Sequence, residues 1–150
     1  MNFREASSND LSQLLEIEQC LIDFERPFNV SLKSKNAIYC NFPHLISDDD
    51  SYLLVVELSG KIIGTGYAQI RDSKEALIHP KHSYIGFIFV SPEHRGRALN
   101  QKILERLIEW SQSKRVNDFY LNVYSQNESA IKAYDKAGFK PCLVEMKLCI

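Results

Sequence analysis

The stretch VSPEHRGRALNQKIL, Val90 to Leu104, sets two arginines and a glycine between an apolar run and an amphipathic pattern. The residues before it, YIGFIFV (Tyr84 to Val90), read as a buried strand. After it, Leu99, Ile103, Leu104, Leu107, Ile108 and Trp110 recur at helical spacing. The arginines therefore stand where a strand ends and a helix begins, in front of amides that have no partner inside the helix. Gly96 lets the backbone come close to a ligand, and Arg95 and Arg97 offer forked donors suited to phosphate. The helix start favours an anion at the same place. A solvated turn with its arginines in water has the same spelling, so the rest of the chain must decide.

Working outward, the elements alternate. Phe3 to Ala6 forms a short first strand, and Ser7, Ser8, Asn9 and Asp10 supply N-cap chemistry. Leu11, Leu14, Leu15, Glu18, Leu21 and Ile22 then mark one face of a helix that Arg26-Pro27 stops. Residues 30–40 are expected as a second, shorter helix. Tyr52 to Leu58 is almost continuously apolar, as a central strand is, and Ser59-Gly60 turns it into a return strand from Lys61 to Arg71. Ser73 to Ser83 reads as a polar loop, and the long helix is expected from about Ala98 to Ser113. Phe119 to Tyr124 is a further strand, and a helix opens at Asn127 and closes at Gly138. Phe139 to Leu148 is expected to supply closing strands. The order implies a mixed α/β sheet in one domain spanning residues 1–150.

Composition narrows the class. A chain of 150 residues, 45% hydrophobic and 25% charged, is long enough to bury a core of its own. Its 18 Lys and Arg nearly balance 19 Asp and Glu, which speaks against a broad basic face and a nucleic-acid partner. Cys20, Cys40, Cys142 and Cys149 lack metal-ligand spacing and are expected reduced, with neither a disulfide framework nor a metal site. The polar start MNFREASSND is no signal peptide, and no apolar run approaches membrane-spanning length. The expectation is a soluble, cytoplasmic protein with no membrane partner.

A second group lies downstream in NESAIKAYDKAGF, Asn127 to Phe139. Alone, Asn127 is an N-cap and Tyr134 an amphipathic core residue. Both groups in order, V-x-P-x-x-R-G-R-A-L and then N-x-x-A-x-x-x-Y-x-x-x-G-F, resemble the GNAT superfamily of acyl-CoA-dependent N-acyltransferases. The match covers Tyr84 to Phe139, and the preceding order of elements is similar to that fold.

The resemblance implies a mostly antiparallel sheet whose central strands, Tyr84 to Val90 and Phe119 to Tyr124, splay apart. It implies acetyl-CoA as co-substrate, with the pantetheine arm against Ile88, Phe89 and Val90 as an added strand. Gly86 would suit the bulge that opens the gap. Arg95, Gly96, Arg97, Ala98, Leu99, Asn100 and Gln101 take the positions of the pyrophosphate turn. Asn127 takes that of the residue reaching the cofactor arm, and Tyr134 that of the tyrosine near the thioester sulfur. The family pattern prefers Gly where this chain has Ala98 and Asn100; Ala98 is expected to accept a helical conformation.

The implied reaction is attack of an amine on the thioester, with Tyr134 as the acid for the leaving thiolate and a backbone amide of the Ile88 to Val90 strand polarising the carbonyl. A base is not visible, because the strand from Tyr84 to Val90 holds no carboxylate. Glu75, His79, His82 and Tyr124 are the open candidates. The acceptor, a small-molecule or protein amine, is expected near Phe24 to Tyr39, and Asp48 to Asp50 could attract a cation. A non-catalytic acyl-CoA-binding or protein-interaction module and an unrelated phosphate-binding protein are the rival readings. Val144, Met146 and Leu148 on a closing strand would offer an edge for a homodimer.

Overall fold

A computed structural model describes all residues, Met1–Ile150. Five strands, β1 (Asn2–Glu5), β2 (Ser51–Leu58), β3 (Lys61–Asp72), β4 (Lys81–Val90) and β5 (Phe119–Tyr120), form one sheet in the order β1-β2-β3-β4-β5. The first three pairings are antiparallel and β4 pairs with β5 in parallel, so the sheet is mixed as expected. The helices are α1 (Leu11–Glu25), α2 (Phe42–Ser47), α3 (Leu99–Ser113) and α4 (Glu128–Lys136). None is long and apolar enough to cross a membrane.

The continuous apolar run of β2 has a direct explanation, because both faces of the sheet are covered. Leu53 and Val55 point into a core with Leu14, Ile17, Phe42 and Leu45 from α1 and α2. Leu54 and Val56 point the other way, against Leu99, Ile103, Leu104 and Leu107 of α3. Ser59 and Gly60 take consecutive positive φ values of 51° and 80°, the geometry of a tight two-residue hairpin turn.

Three expectations are corrected. Residues 30–40 form no helix: the segment has no apolar period, and Asn36 has a φ of 60°. The short helix is α2 instead, started by Asn41, whose side chain accepts from the His44 amide, with Pro43 in the first turn. The strand after α3 is only Phe119–Tyr120, because β5 parts from β4 after two paired residues. Phe139 to Leu148 makes no strand, and Val144, Met146 and Leu148 are exposed. A closing strand needs a continuous ladder to pair with, and β5 is too short to provide one.

Candidate functional site

The site begins with a fault in β4. Ile85 and Phe87 are two residues apart, so a regular strand would place both on one face. Instead Ile85 packs on the α3 side and Phe87 on the α1 side. The register shifts between Thr65 and Tyr67 of β3, leaving an extra residue in β4, and Phe87 takes a φ of 54°. This is a bulge, and it lies beside Gly86 as expected. Gly86 itself is needed for another reason: a Cβ there would stand 2.5 Å from the ring of Tyr67.

Beyond the bulge β4 leaves β5. The parallel ladder consists of Ser83 opposite Phe119 and Tyr84 opposite Tyr120, and no further pair forms. A cleft of about 770 Å³ opens there, with Ile88, Phe89 and Val90 on one wall and Asn122 and Val123 on the other. The β5-facing edge of β4 is thus left without a ladder partner.

The floor of the cleft is the start of α3. Gly96 (φ 80°) and Ala98 (φ 58°) are both left-handed, so Ala98 is not helical as expected but strained. An alanine there costs roughly 1–2 kcal/mol, which explains in physical terms why glycine suits the position. Leu99, Asn100 and Gln101, the first residues of α3, line the opening, at a helix end whose first amides lack partners within the helix. Asn100 is accommodated and carries the one buried side-chain polar atom without a partner, its Oδ1. Gln101 donates through Nε2 to the Ala133 carbonyl at 3.3 Å and ties α3 to α4. Arg95 donates from Nε to the Val90 carbonyl at 3.2 Å and reaches toward the Phe24 ring. Arg97 is exposed and does not line the cleft.

The α4 wall carries the remaining two positions. Asn127 is buried and caps α4, its Oδ1 accepting from the Ala130 amide and the Ser129 hydroxyl, both at 3.3 Å. Tyr134 is part-buried, edge-on to Phe139 with centroids 6.1 Å apart. Burial, with the Glu25 charge and Tyr84 adding to it, pushes its phenol up to about 12, so it holds its proton through the neutral range. Eleven sequence-derived cofactor positions therefore line one cleft, and Arg97 stands outside it.

The proposed bases fare differently. His79 and His82 share the Ser73 hydroxyl at 2.8 and 2.9 Å, and His79 reaches the Tyr120 hydroxyl at 2.9 Å. They belong to the Lys81 end of β4, opposite the end at Val90 that borders the cleft, and Glu75 is in the loop before them. None of the three lines the cleft.

Glu25, the last residue of α1, falls inside the expected acceptor region of residues 24–39 but was not named from sequence; it lines the cleft with Tyr134. Burial raises its carboxyl from the usual range, and the neighbouring Tyr39 phenol partly offsets that by favouring the charged form. Tyr39 is set there by Glu18, whose buried carboxylate accepts from the Tyr39 and Cys40 amides at 3.0 and 2.8 Å. Tyr124 lies next to Tyr39 and accepts from Asn29 Nδ2 at 3.0 Å. A smaller cavity of about 140 Å³, whose lining includes Tyr39, His44, Tyr67 and Arg71, adjoins on the far side of Tyr39. All four cysteines are free thiols.

Comparison with known proteins gives the family and the fold. The model of the acetyltransferase (GNAT) family matches residues 16–139. An uncharacterized N-acetyltransferase of Methanocaldococcus jannaschii is 25% identical over 91% of this chain and 59% of its own length. The chain spans 22% to 59% of the curated relatives it matches. A crystallised mutant protein of Bacillus halodurans superposes with a TM-score of 0.88 at 21% identity, over 100% of this chain and 99% of its own. A predicted acetyltransferase of Clostridium acetobutylicum, crystallised with acetyl-CoA, superposes with a TM-score of 0.74 at 19% identity, over 99% of this chain and 95% of its own. The chain belongs to the acetyltransferase (GNAT) family.

Proposed function

We propose that residues 1–150 act as one N-acetyltransferase domain in the cytoplasm, transferring an acetyl group from acetyl-CoA to a primary amine of a small molecule or protein. The observation that carries this reading is the cleft between β4 and β5, which runs onto the α3 N-terminus and has Tyr134 on its wall. Its parts suit coenzyme A. The free edge of Ile88 to Val90 can pair with the amides of the pantetheine arm. The first α3 amides, with Gly96 and Arg95, suit the diphosphate, and Arg97 adds positive charge from outside. The Asn100 Oδ1 is buried beside this helix start and has no partner within the chain.

Acetyl-CoA supplies the activated acyl group, and the chain supplies orientation and protons. An amide of the Ile88 to Val90 edge polarises the carbonyl, and the Tyr134 hydroxyl gives its proton to the departing thiolate. Burial keeps that phenol protonated at neutral pH, the form a donor needs. The non-catalytic alternative has less support, because a cleft that only held the thioester would need no acid on its wall.

Thiol release with acetyl-CoA and a panel of primary amines tests the reading. Tyr134→Phe should lower kcat by about 10²-fold or more, with little change in acetyl-CoA binding, since only the phenol proton is lost. Unchanged kcat would place the acid elsewhere.

A further inference from the structure

We propose, resting on the acetyl-transfer reading above, that Glu25 is the group that receives the acceptor's ammonium and removes its proton. The chain has no carboxylate on β4, and neither His79 before that strand nor His82 at its start lines the cleft. Glu25 and Glu25's neighbour Phe24 stand on the same opening as Tyr134, so base and acid share one cavity. Tyr39 lies beside the Glu25 carboxylate and is itself fixed through Glu18, so the group is held in place. Phe24 and Phe28, centroids 5.9 Å apart, and Tyr124, 6.3 Å from Phe28, form an aromatic wall next to it. Carboxylate and aromatic faces together suit a compact cation such as an alkylammonium.

The proton account closes. The ammonium N–H bond breaks toward Glu25, and the freed nitrogen pair forms the bond to the thioester carbon. The C–S bond then breaks with its electron pair on sulfur. Tyr134 protonates the sulfur and takes the second proton leaving nitrogen as the amide forms, while Glu25 passes the first to water. One amide, one thiol and one proton result.

Groups facing Glu25 are Tyr39 and Tyr134, with Tyr124 behind Tyr39 and His94, Arg95 and Lys136 elsewhere on the cleft lining. Its carboxyl is raised by burial, so the acidic limb of kcat/KM for the wild type should lie above the ordinary carboxylate range.

The test uses Glu25→Gln and Glu25→Asp with the best amine of the panel. Glu25→Gln should lose about 10²-fold in kcat and lose the acidic limb, its rate climbing with pH as free amine accumulates, while Glu25→Asp keeps the limb at lower rate. Acetyl-CoA should stabilise Glu25→Gln as it does the wild type. In parallel, n-butylammonium titrated into the protein with coenzyme A should bind the wild type at least tenfold tighter than Glu25→Gln. Retention of rate and limb in Glu25→Gln overturns the proposal, as does n-butylammonium binding that is absent or indifferent to the variant. Failure of acetyl-CoA to bind the wild type would instead remove the reading beneath it.

Discussion

Phe87 and Gly86 decide the site between them. One extra residue flips β4, putting Ile85 and Phe87 in opposite cores, and the strand beyond it leaves β5. Gly86 is the residue whose replacement should be felt most simply. A methyl there meets the Tyr67 ring at 2.5 Å, and the half-buried tyrosine has neighbours of its own in Tyr84 and Arg71. Gly86→Ala should lower stability by about 1–3 kcal/mol, read from the urea midpoint. The cost should shrink when Tyr67 is also cut to Ala, as contact between the two sites requires. The sequence pointed to a glycine at this place, but not to the positive φ, which falls on Phe87, a residue type that gives no hint of it. Ala98 is the same lesson reversed. Its letter suggests a helix, yet the turn requires a left-handed residue there.

Among the elements, the α3 N-terminus is the end proposed for the diphosphate, with Arg95 and Arg97 in the turn before it. Arg95→Glu would put a carboxylate by the opening that the first residues of α3 line. Acetyl-CoA affinity should fall by about tenfold, less at high salt, as a titration followed by calorimetry would measure. Unchanged affinity would take Arg95 out of the site. The motif from Val90 to Leu104 was legible because strand, turn and helix each leave a local signature, whereas Asn127 and Tyr134, a cap and a core residue by themselves, were placed at the site by the family resemblance. The proposed acceptor end was legible only as a region, residues 24–39 with Tyr124 among the candidate bases; that Glu25 lines the cleft was not. Glu25, Tyr39 and Tyr124 are distant in sequence and meet only because Glu18 pins residues 39 and 40 to α1 and because β5 stops early. The short α2 escaped as well, since its six residues are too few to show a period, though Asn41 and Pro43 mark its start.

At the scale of the whole molecule, the two cores on either face of β2 and β3 hold the sheet, and a charged clasp secures its edge. Arg4 of β1 donates both Nη atoms to Asp10 at 2.8 Å and Nε to Glu57 of β2 at 3.0 Å. Asp10 also accepts the Ser7 amide at 2.8 Å, and the Arg4 guanidinium holds its carboxyl below the usual range. A carboxyl lowered by folding stabilises above its unfolded value and loses that stabilisation as pH falls through the folded one. Asp10→Asn should therefore be destabilised near pH 7, with the gap to wild type closing as pH drops below about 4, by thermal unfolding across pH. The central claim, that the β4–β5 cleft is an acetyl-CoA site, is met most directly by thermal unfolding with acetyl-CoA and with ATP as control. Ligand at about a hundred times its dissociation constant adds roughly 2.7 kcal/mol, a rise of several degrees for a chain of this size. That rise is expected with acetyl-CoA and not with ATP; no shift up to millimolar acetyl-CoA, or an equal shift with ATP, would rule out an acetyl-CoA site in the cleft.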